Sequence, residues 1–275
     1  MILKIKQFVS YHYWAFILSL LVGFLMILPQ VIFIIQAGPD DAGINILATD
    51  SEANFLARFQ EMAEGDSGFS DIFFTFNQKE PYLQPPLGEI LMYKFGRLFL
   101  KNTSNIFLLA KFILPVFLFL AIYFFVLLFA TDKKIALASS IGVMFYYGVS
   151  SVWEFKSFLA NNFIIPEPSV FSRPIVPVFG LIILFSFLSF FYLYILQSKK
   201  RYGWLAGFCL GLSFYIYFFT WSFLAVFIFV PVFWFLIKKD WFSFKKTLWV
   251  IFLGVFISLP YWFNFYKLLY SLLLY

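Results

Sequence analysis

Apolar side chains occur along this chain in long uninterrupted runs separated by short polar connections. Several runs are about 18 to 24 residues long, the length a helix needs to cross ~30 Å of hydrocarbon. Lipid offers no partner for free backbone polar groups, so each span must be a helix. The pattern predicts an all-α, polytopic transmembrane bundle of about seven spans, at residues 13–36, 106–130, 135–152, 174–197, 203–219, 221–237 and 247–269.

Two polar stretches lie between these runs. Residues 37–105 form the larger and residues 153–173 the smaller. We therefore expect a single transmembrane domain over 1–275, with a large loop at 37–105 that carries amphipathic surface helices and the candidate active site. Within the apolar runs, Lys111 and Lys267 lie near span ends, where a long side chain can reach the interface.

Basic residues between the spans predict the orientation of the chain. They form four clusters, at Lys4 and Lys6, Lys133 and Lys134, Lys199 to Arg201, and Lys238 to Lys246. Seven spans place all four clusters on one side, which the positive-inside rule makes cytoplasmic. Of the acidic residues, only Asp132 and Asp240 join them. The expectation is an integral protein of the plasma (inner) membrane with a cytoplasmic N-terminus and an external large loop.

Composition supports the membrane class and excludes several functions. The chain is 63% hydrophobic and only 12% charged, about half the charged fraction of a soluble domain. Its net charge of +6 is explained by the basic connections, so no nucleic-acid partner is expected. Cys209 is the single cysteine and His12 the single histidine, which excludes a disulfide, a cysteine metal site and a histidine triad. Any catalysis would use carboxylates, Lys or Arg.

The large loop predicts a first surface helix. Thr49 to Glu52 match a capping box, so the helix is expected to begin at Asp50, and Gly65 is placed to end it. Helical spacing predicts a polar face of Asp50, Asn54, Arg58 and Glu61 and an apolar face of Ala53, Leu56, Phe59 and Ala63.

A second surface helix is predicted at about 87–100. Pro86 suits its first turn. Its apolar side would consist of Leu87, Leu91, Phe95 and Leu98.

The charged residues of these segments have structural as well as chemical explanations. Asp50 in a first helical turn offsets the helix dipole without any catalytic role. Glu52 projects about 200° from Asp50 around the helix and suits a capping role better than that of a second catalytic acid. Arg173, at the external entrance of the fourth span, is either an interface anchor or a clamp for a lipid-linked phosphate.

The order of these features resembles the GT-C superfamily of membrane glycosyltransferases. The stretch Asp50–Arg58 followed by Gly65 is similar to the acid–aromatic–Ala-Arg–Gly pattern of that family. Tyr82–Leu87, with its Pro-Pro-Leu sequence, and Ser172–Pro174 resemble further segments of the family. Its members include protein mannosyltransferases, aminoarabinose transferases and oligosaccharyltransferase subunits. Because members are usually longer and the last apolar run reaches Tyr275, the chain is expected to be the N-terminal half of one.

The resemblance implies a reaction and its residues. Asp50 would be the general base, and the donor would be a polyprenyl-phosphate sugar. The resemblance assigns phosphate binding to three basic residues, Arg58, Lys79 and Arg173. Two acids, Glu52 and Glu167, become candidate metal ligands or secondary acids, because some branches of the family use a divalent cation such as Mg²⁺ or Mn²⁺ and others use none. The acceptor would be a glycan, a lipid or a protein, and membrane lipid would surround the spans.

Two other classes of function fit the sequence. A transporter or flippase would need a hydrophilic path through the spans, but no charged residue lies at the centre of a predicted span. A non-catalytic membrane assembly protein, or an inactive fragment, would need no active site at all.

Overall fold

The computed structural model describes residues 2–40, 50–65, 81–82, 84–146 and 169–274. In this part of the chain every regular element is helical, and no strand occurs. The α-helices are α1 (Ile2–Tyr11), α2 (Tyr13–Ala37), α3 (Asp50–Glu64), α4 (Leu87–Arg97), α5 (Thr103–Ala130), α6 (Lys133–Phe145), α7 (Val178–Gln197), α8 (Lys200–Ser213), α9 (Phe218–Ile237) and α10 (Trp241–Leu274). Short 3-10 turns lie at Gly38–Asp40 and Val170–Ser172.

Among the described residues, five helices are long and apolar enough to cross a membrane: α2, α5, α7, α9 and α10. The all-α membrane class predicted from the sequence is supported, but the count of seven spans is not confirmed. Helices α6 and α8 have 13 and 14 residues. At ~1.5 Å per residue each covers about 20 Å, less than the hydrocarbon thickness of ~30 Å.

The outer surface of α9 is apolar, which indicates contact with lipid. Its residues Phe223, Val226, Phe229, Val230 and Phe233 are each more than half exposed. A stripe of large apolar side chains of this kind would aggregate in water, whereas hydrocarbon solvates it. The exposed face therefore agrees with the long apolar run in the sequence.

Within the predicted transmembrane domain the chain forms two compact units. The first unit comprises residues 1–56 and 95–178, and the second comprises residues 57–94 and 179–275. Each unit is described by itself below.

In the first unit, α5 is the central helix, and α2 and α6 pack against it. Its buried side includes Ile106, Phe107, Leu114, Leu118 and Phe119, each at most 2% exposed. The approach of α2 to α5 is close at Gly23, where an added Cβ would lie 2.6 Å from Cγ2 of Val116.

In the second unit, glycines let α8 approach α10 closely. A Cβ added at Gly207 would lie 2.5 Å from Cβ of Leu253, and one at Gly211 would lie 2.5 Å from Cβ of Ile257. On the facing helix, a Cβ at Gly254 would lie 2.6 Å from Cδ2 of Leu210. Small residues at helix contacts are typical of membrane proteins, because close backbone packing replaces the hydrophobic effect that lipid cannot provide.

We expect Gly207→Ala to destabilise the protein, because the new methyl group would overlap Leu253 across the α8–α10 contact. Overpacking of this kind costs about 1–3 kcal/mol. Gly142→Ala in α6 is the matched control, since nothing lies within 4 Å of its added Cβ and alanine favours a helix over glycine. Thermal unfolding in detergent, followed by far-UV circular dichroism, measures both. Equal melting temperatures for the two variants would contradict the close contact.

Candidate functional site

The polar segment between α2 and α5 contains two helices that begin at the residues the sequence predicts. Helix α3 begins at Asp50 and ends at Glu64, as predicted. Gly65 follows with φ +93°, a conformation that side chains with a Cβ rarely adopt. Helix α4 begins directly after Pro86, whose carbonyl oxygen accepts a hydrogen bond from the backbone N–H of Ile90 at 2.9 Å. The predicted capping box includes Thr49, which lies outside the described residues.

The buried face of α3 differs from the predicted apolar face. Glu52, Phe55, Arg58 and Phe59 are buried, whereas Ala53 and Ala63 are exposed. Arg58, which the sequence places on a polar face, is therefore buried with apolar residues of α3. Its burial is possible because a carboxylate lies beside it, which helical spacing within α3 could not reveal.

Helix α4 also buries a face other than its predicted apolar side. Glu89, Met92 and Tyr93 are buried. The predicted apolar side stays at the surface, with Leu91 44% and Leu98 76% exposed. Exposure of this side agrees with a helix whose apolar side faces lipid and whose other side packs against the protein.

In the second unit, Arg58 and Glu89 form a buried ion pair. Nη1 of Arg58 donates to Oε1 of Glu89 at 2.8 Å, and the two side chains are 8% and 1% exposed. Burial raises the pKa of Glu89, while the adjacent Arg58 opposes that change. The rings of Phe59 and Tyr93, 5.9 Å apart in an edge-to-face arrangement, pack the same two helices together. The pair therefore fixes α3 against α4.

In the first unit, Glu52 pairs with a lysine of the candidate span α5. Nζ of Lys111 lies 2.9 Å from Oε1 of Glu52, and the side chains are 10% and 0% exposed. The ammonium also lies 5.5 Å from the centre of the Phe107 ring. Lys111 is thus buried against a carboxylate, whereas the sequence predicts that it extends to the interface.

The Pro-Pro-Leu segment is held by backbone hydrogen bonds within the second unit. The N–H of Leu87 donates to the carbonyl of Tyr215 at 3.2 Å, and Nδ2 of Asn264 donates to the carbonyl of Tyr82 at 3.1 Å. Burial raises the pKa of Tyr82 to about 12, so its phenol stays protonated at neutral pH. These contacts position the start of α4, and hence Glu89.

The structure describes four of the six predicted site residues. Arg58 and Glu52 lie in buried ion pairs, Asp50 is the first residue of α3, and Arg173 is half-buried after the 3-10 turn Val170–Ser172. Ser169 holds that turn, since its Oγ donates to the carbonyl of Met144 at 2.6 Å and accepts from the N–H of Phe171. Lys79 and Glu167 lie outside the described residues.

The described residues do not fit the divalent cation that the resemblance implies. No group of three or more His, Cys, Asp or Glu side chains in that part of the chain could hold a metal ion. Glu52, the candidate ligand among them, is fully buried, and its carboxylate is already neutralised by Lys111. A metal ligand needs free lone pairs and access for the ion. We derive no step through a metal.

Two residues of these ion pairs are missing from the sequence prediction. Glu89 was assigned no role, and Lys111 was assigned only to the interface. The signal for Lys111 was present, because a charge within an apolar run requires a partner. The partner of Lys111 could not be identified from the sequence. Several acidic residues could pair with it, and only the packing of the helices selects one of them.

The chain matches no model of a known protein family, and it matches neither a curated protein nor a solved structure.

We expect a double-mutant cycle on Arg58 and Glu89 to be strongly non-additive. Arg58→Met should lower the free energy of unfolding by about 3–5 kcal/mol, because it leaves a buried carboxylate without its cation. The double variant Arg58→Met/Glu89→Gln should lower it much less, since both charges are removed. Cys209, the single cysteine, is 6% exposed, so a thiol-reactive fluorophore reports unfolding. Additive losses would contradict a coupled pair.

The pH dependence of the Arg58→Met variant provides a second test. Without the guanidinium, burial is the dominant influence on Glu89, ahead of a backbone hydrogen bond that lowers its pKa, and it keeps the folded-state pKa above the unfolded value. The protonated form then stabilises the fold at low pH, and this contribution is lost as the pH rises. The variant should therefore lose stability relative to wild type between about pH 5 and pH 8. The double variant, which has no carboxyl group at position 89, should not.

Proposed function

We propose that this chain is a membrane glycosyltransferase, or the N-terminal half of one, that transfers a sugar from a polyprenyl-phosphate donor to an acceptor at the external face of the plasma membrane. The resemblance to the GT-C superfamily suggests the reaction. The observation that supports it best is that the polar segment between α2 and α5 along the chain contains two helices, α3 and α4, that are held by buried ion pairs. Helices held in this way suit catalysis, because reacting groups must be kept in a productive geometry.

Asp50 is the proposed general base. It is the first residue of α3, where the positive end of the helix dipole stabilises an ionised carboxylate. A carboxylate that stays ionised can accept the proton of an acceptor hydroxyl. The hydroxyl oxygen then bonds to the anomeric carbon of the donor, and the bond from that carbon to the phosphate oxygen breaks. The polyprenyl phosphate leaves with the electron pair.

Arg173 is the stronger candidate for binding the leaving phosphate. Arg58 is almost fully buried, and one of its nitrogens already donates to Glu89. Arg173 is only half-buried, so a lipid-linked phosphate has better access to its forked guanidinium. We therefore propose that Arg173 stabilises the developing charge while Arg58 positions α3. The resemblance alone assigns roles to Lys79, Glu52 and Glu167.

The proposed orientation places the α3–α4 segment outside and the basic connections inside. Exposed lysines lie at the start of α8 and after α9, at Lys199, Lys200, Lys238 and Lys239. The positive-inside rule assigns such connections to the cytoplasm. This orientation requires α6 and α8 to cross the membrane as well, although neither helix alone is long enough.

We expect Asp50→Asn to reduce kcat for sugar transfer by about 10²–10⁴-fold, the usual contribution of a general base, with little change in the KM for the donor. Glu64→Gln at the other end of α3 is the matched control. Its exposed carboxylate accepts a hydrogen bond from Nε2 of Gln60 at 2.8 Å. The activity of this variant should therefore stay within about twofold of wild type. The assay uses full-length protein in proteoliposomes with labelled polyprenyl-phosphate sugar. Full activity of Asp50→Asn would remove Asp50 from the mechanism.

Cysteine labelling tests the orientation separately. In a Cys209→Ala background, a cysteine at Lys101, just before α5, should react with a membrane-impermeant maleimide in intact cells. A cysteine at Lys200, at the start of α8, should react only after permeabilisation. Both native side chains are exposed, so burial does not limit either reaction. The reverse pattern, or equal labelling of both, would refute the external placement of the polar segment.

A further inference from the structure

The first unit contains a cavity where the start of α2 meets the turn between α5 and α6. Its volume is about 700 Å³, within the range of small-molecule sites. Its lining includes Tyr11, His12, Trp14, Asp132, Lys133 and Lys134. None of these residues belongs to the proposed transfer site.

Two lysines that line the cavity can donate further hydrogen bonds. Nζ of Lys133 donates to the carbonyl of Tyr11 at 3.0 Å and lies 2.9 Å from the centre of that residue's ring. An ammonium has three N–H donors. One donates to the Tyr11 carbonyl and one points at the Tyr11 ring, so one stays available to a ligand. Lys134 is exposed at the first turn of α6. Both cations can therefore reach an anion in the cavity.

The other titratable groups of the cavity do not cancel this positive charge. The carboxylate of Asp132 accepts the backbone N–H of Lys134 at 2.8 Å and so caps α6. His12 is 7% exposed, and its Nδ1 lies 2.9 Å from the hydroxyl of Tyr123. Burial, and secondarily Lys133, lowers the pKa of His12, which keeps the imidazole neutral at pH 7. Two lysines and one aspartate leave the cavity with net positive charge.

The position of the cavity relative to the candidate spans indicates that its anionic ligand comes from the membrane. Helix α2 begins at Tyr13 and α5 ends at Ala130, so the cavity lies at the ends of two candidate spans. Tyr11, Tyr13 and Trp14 are 64%, 45% and 54% exposed there. Exposed Tyr and Trp beside Lys are typical of the headgroup layer of a membrane.

We propose that this cavity binds the phosphate group of an anionic membrane lipid. The two lysines would contact the phosphate, and the exposed aromatic rings would lie against the glycerol and upper chain region. The cavity lies at the N-terminal end of α2, whereas the segment that contains Asp50 follows the C-terminal end of that helix in the sequence. With 25 residues, α2 is about 38 Å long. A lipid bound here would be a second ligand, distinct from the proposed sugar donor.

Native mass spectrometry of the purified full chain in detergent tests the proposal. The probes are phosphatidylglycerol, zwitterionic phosphatidylcholine and inorganic phosphate. Wild-type protein should retain phosphatidylglycerol in preference to phosphatidylcholine. Lys134→Gln should weaken that retention about fivefold, and Lys133→Gln/Lys134→Gln further, since each lysine near a lipid surface contributes about that factor. Because the Lys134 side chain is exposed, its single variant is expected to fold normally.

Lys199→Gln/Lys200→Gln is the matched control, because it removes another exposed lysine pair at a helix start that does not line the cavity. It should leave phosphatidylglycerol retention unchanged. Equal retention by wild type and both cavity variants would overturn the site, as would equal retention of the two lipids. Binding of inorganic phosphate as tight as that of phosphatidylglycerol would overturn the membrane lipid as its source. These outcomes do not depend on sugar transfer, so they are separate from the test of Asp50.

Discussion

The pairing of buried charges is the constraint on which the polar part of this protein depends. An isolated charge removed from water is too costly to keep, so a helix with inward-facing charges can pack only where opposite charges meet it. Arg58 meets Glu89 in the second unit, and Glu52 meets Lys111 in the first. In the first unit this contact attaches the start of α3 to the apolar helix α5. In the second unit it joins the following part of α3 to α4. Asp50 is the first residue of α3.

The apolar helices are held by a different interaction. In lipid an apolar side chain gains little by leaving its surroundings, so helices associate through close packing. Gly207 and Gly211 of α8 provide this packing against α10, and Gly23 of α2 provides it against α5. Close packing of this kind restricts the relative motion of the paired helices within each unit.

Much of the candidate site could be predicted locally. Asp50 and Gly65 mark the ends of α3, and Pro86 precedes α4, because capping and backbone preferences act within a few residues. The pairing of Arg58 with Glu89 could not be predicted, since the two are 31 positions apart and their contact depends on how the helices pack. The same limit applies to Glu52, which the sequence favoured as a cap and the structure places against Lys111.

The sequence by itself determined that this is a helical membrane protein with a polar segment between its first two long spans. Hydrocarbon thickness and the need to satisfy backbone hydrogen bonds act on every residue of a run, so composition and run length are enough. Only the tertiary structure decided which charges are neutralised, how closely α8 approaches α10, and that Lys133 and Lys134 line a cavity with Trp14. These features join residues distant in the chain, and their proximity exists only once the helices are packed.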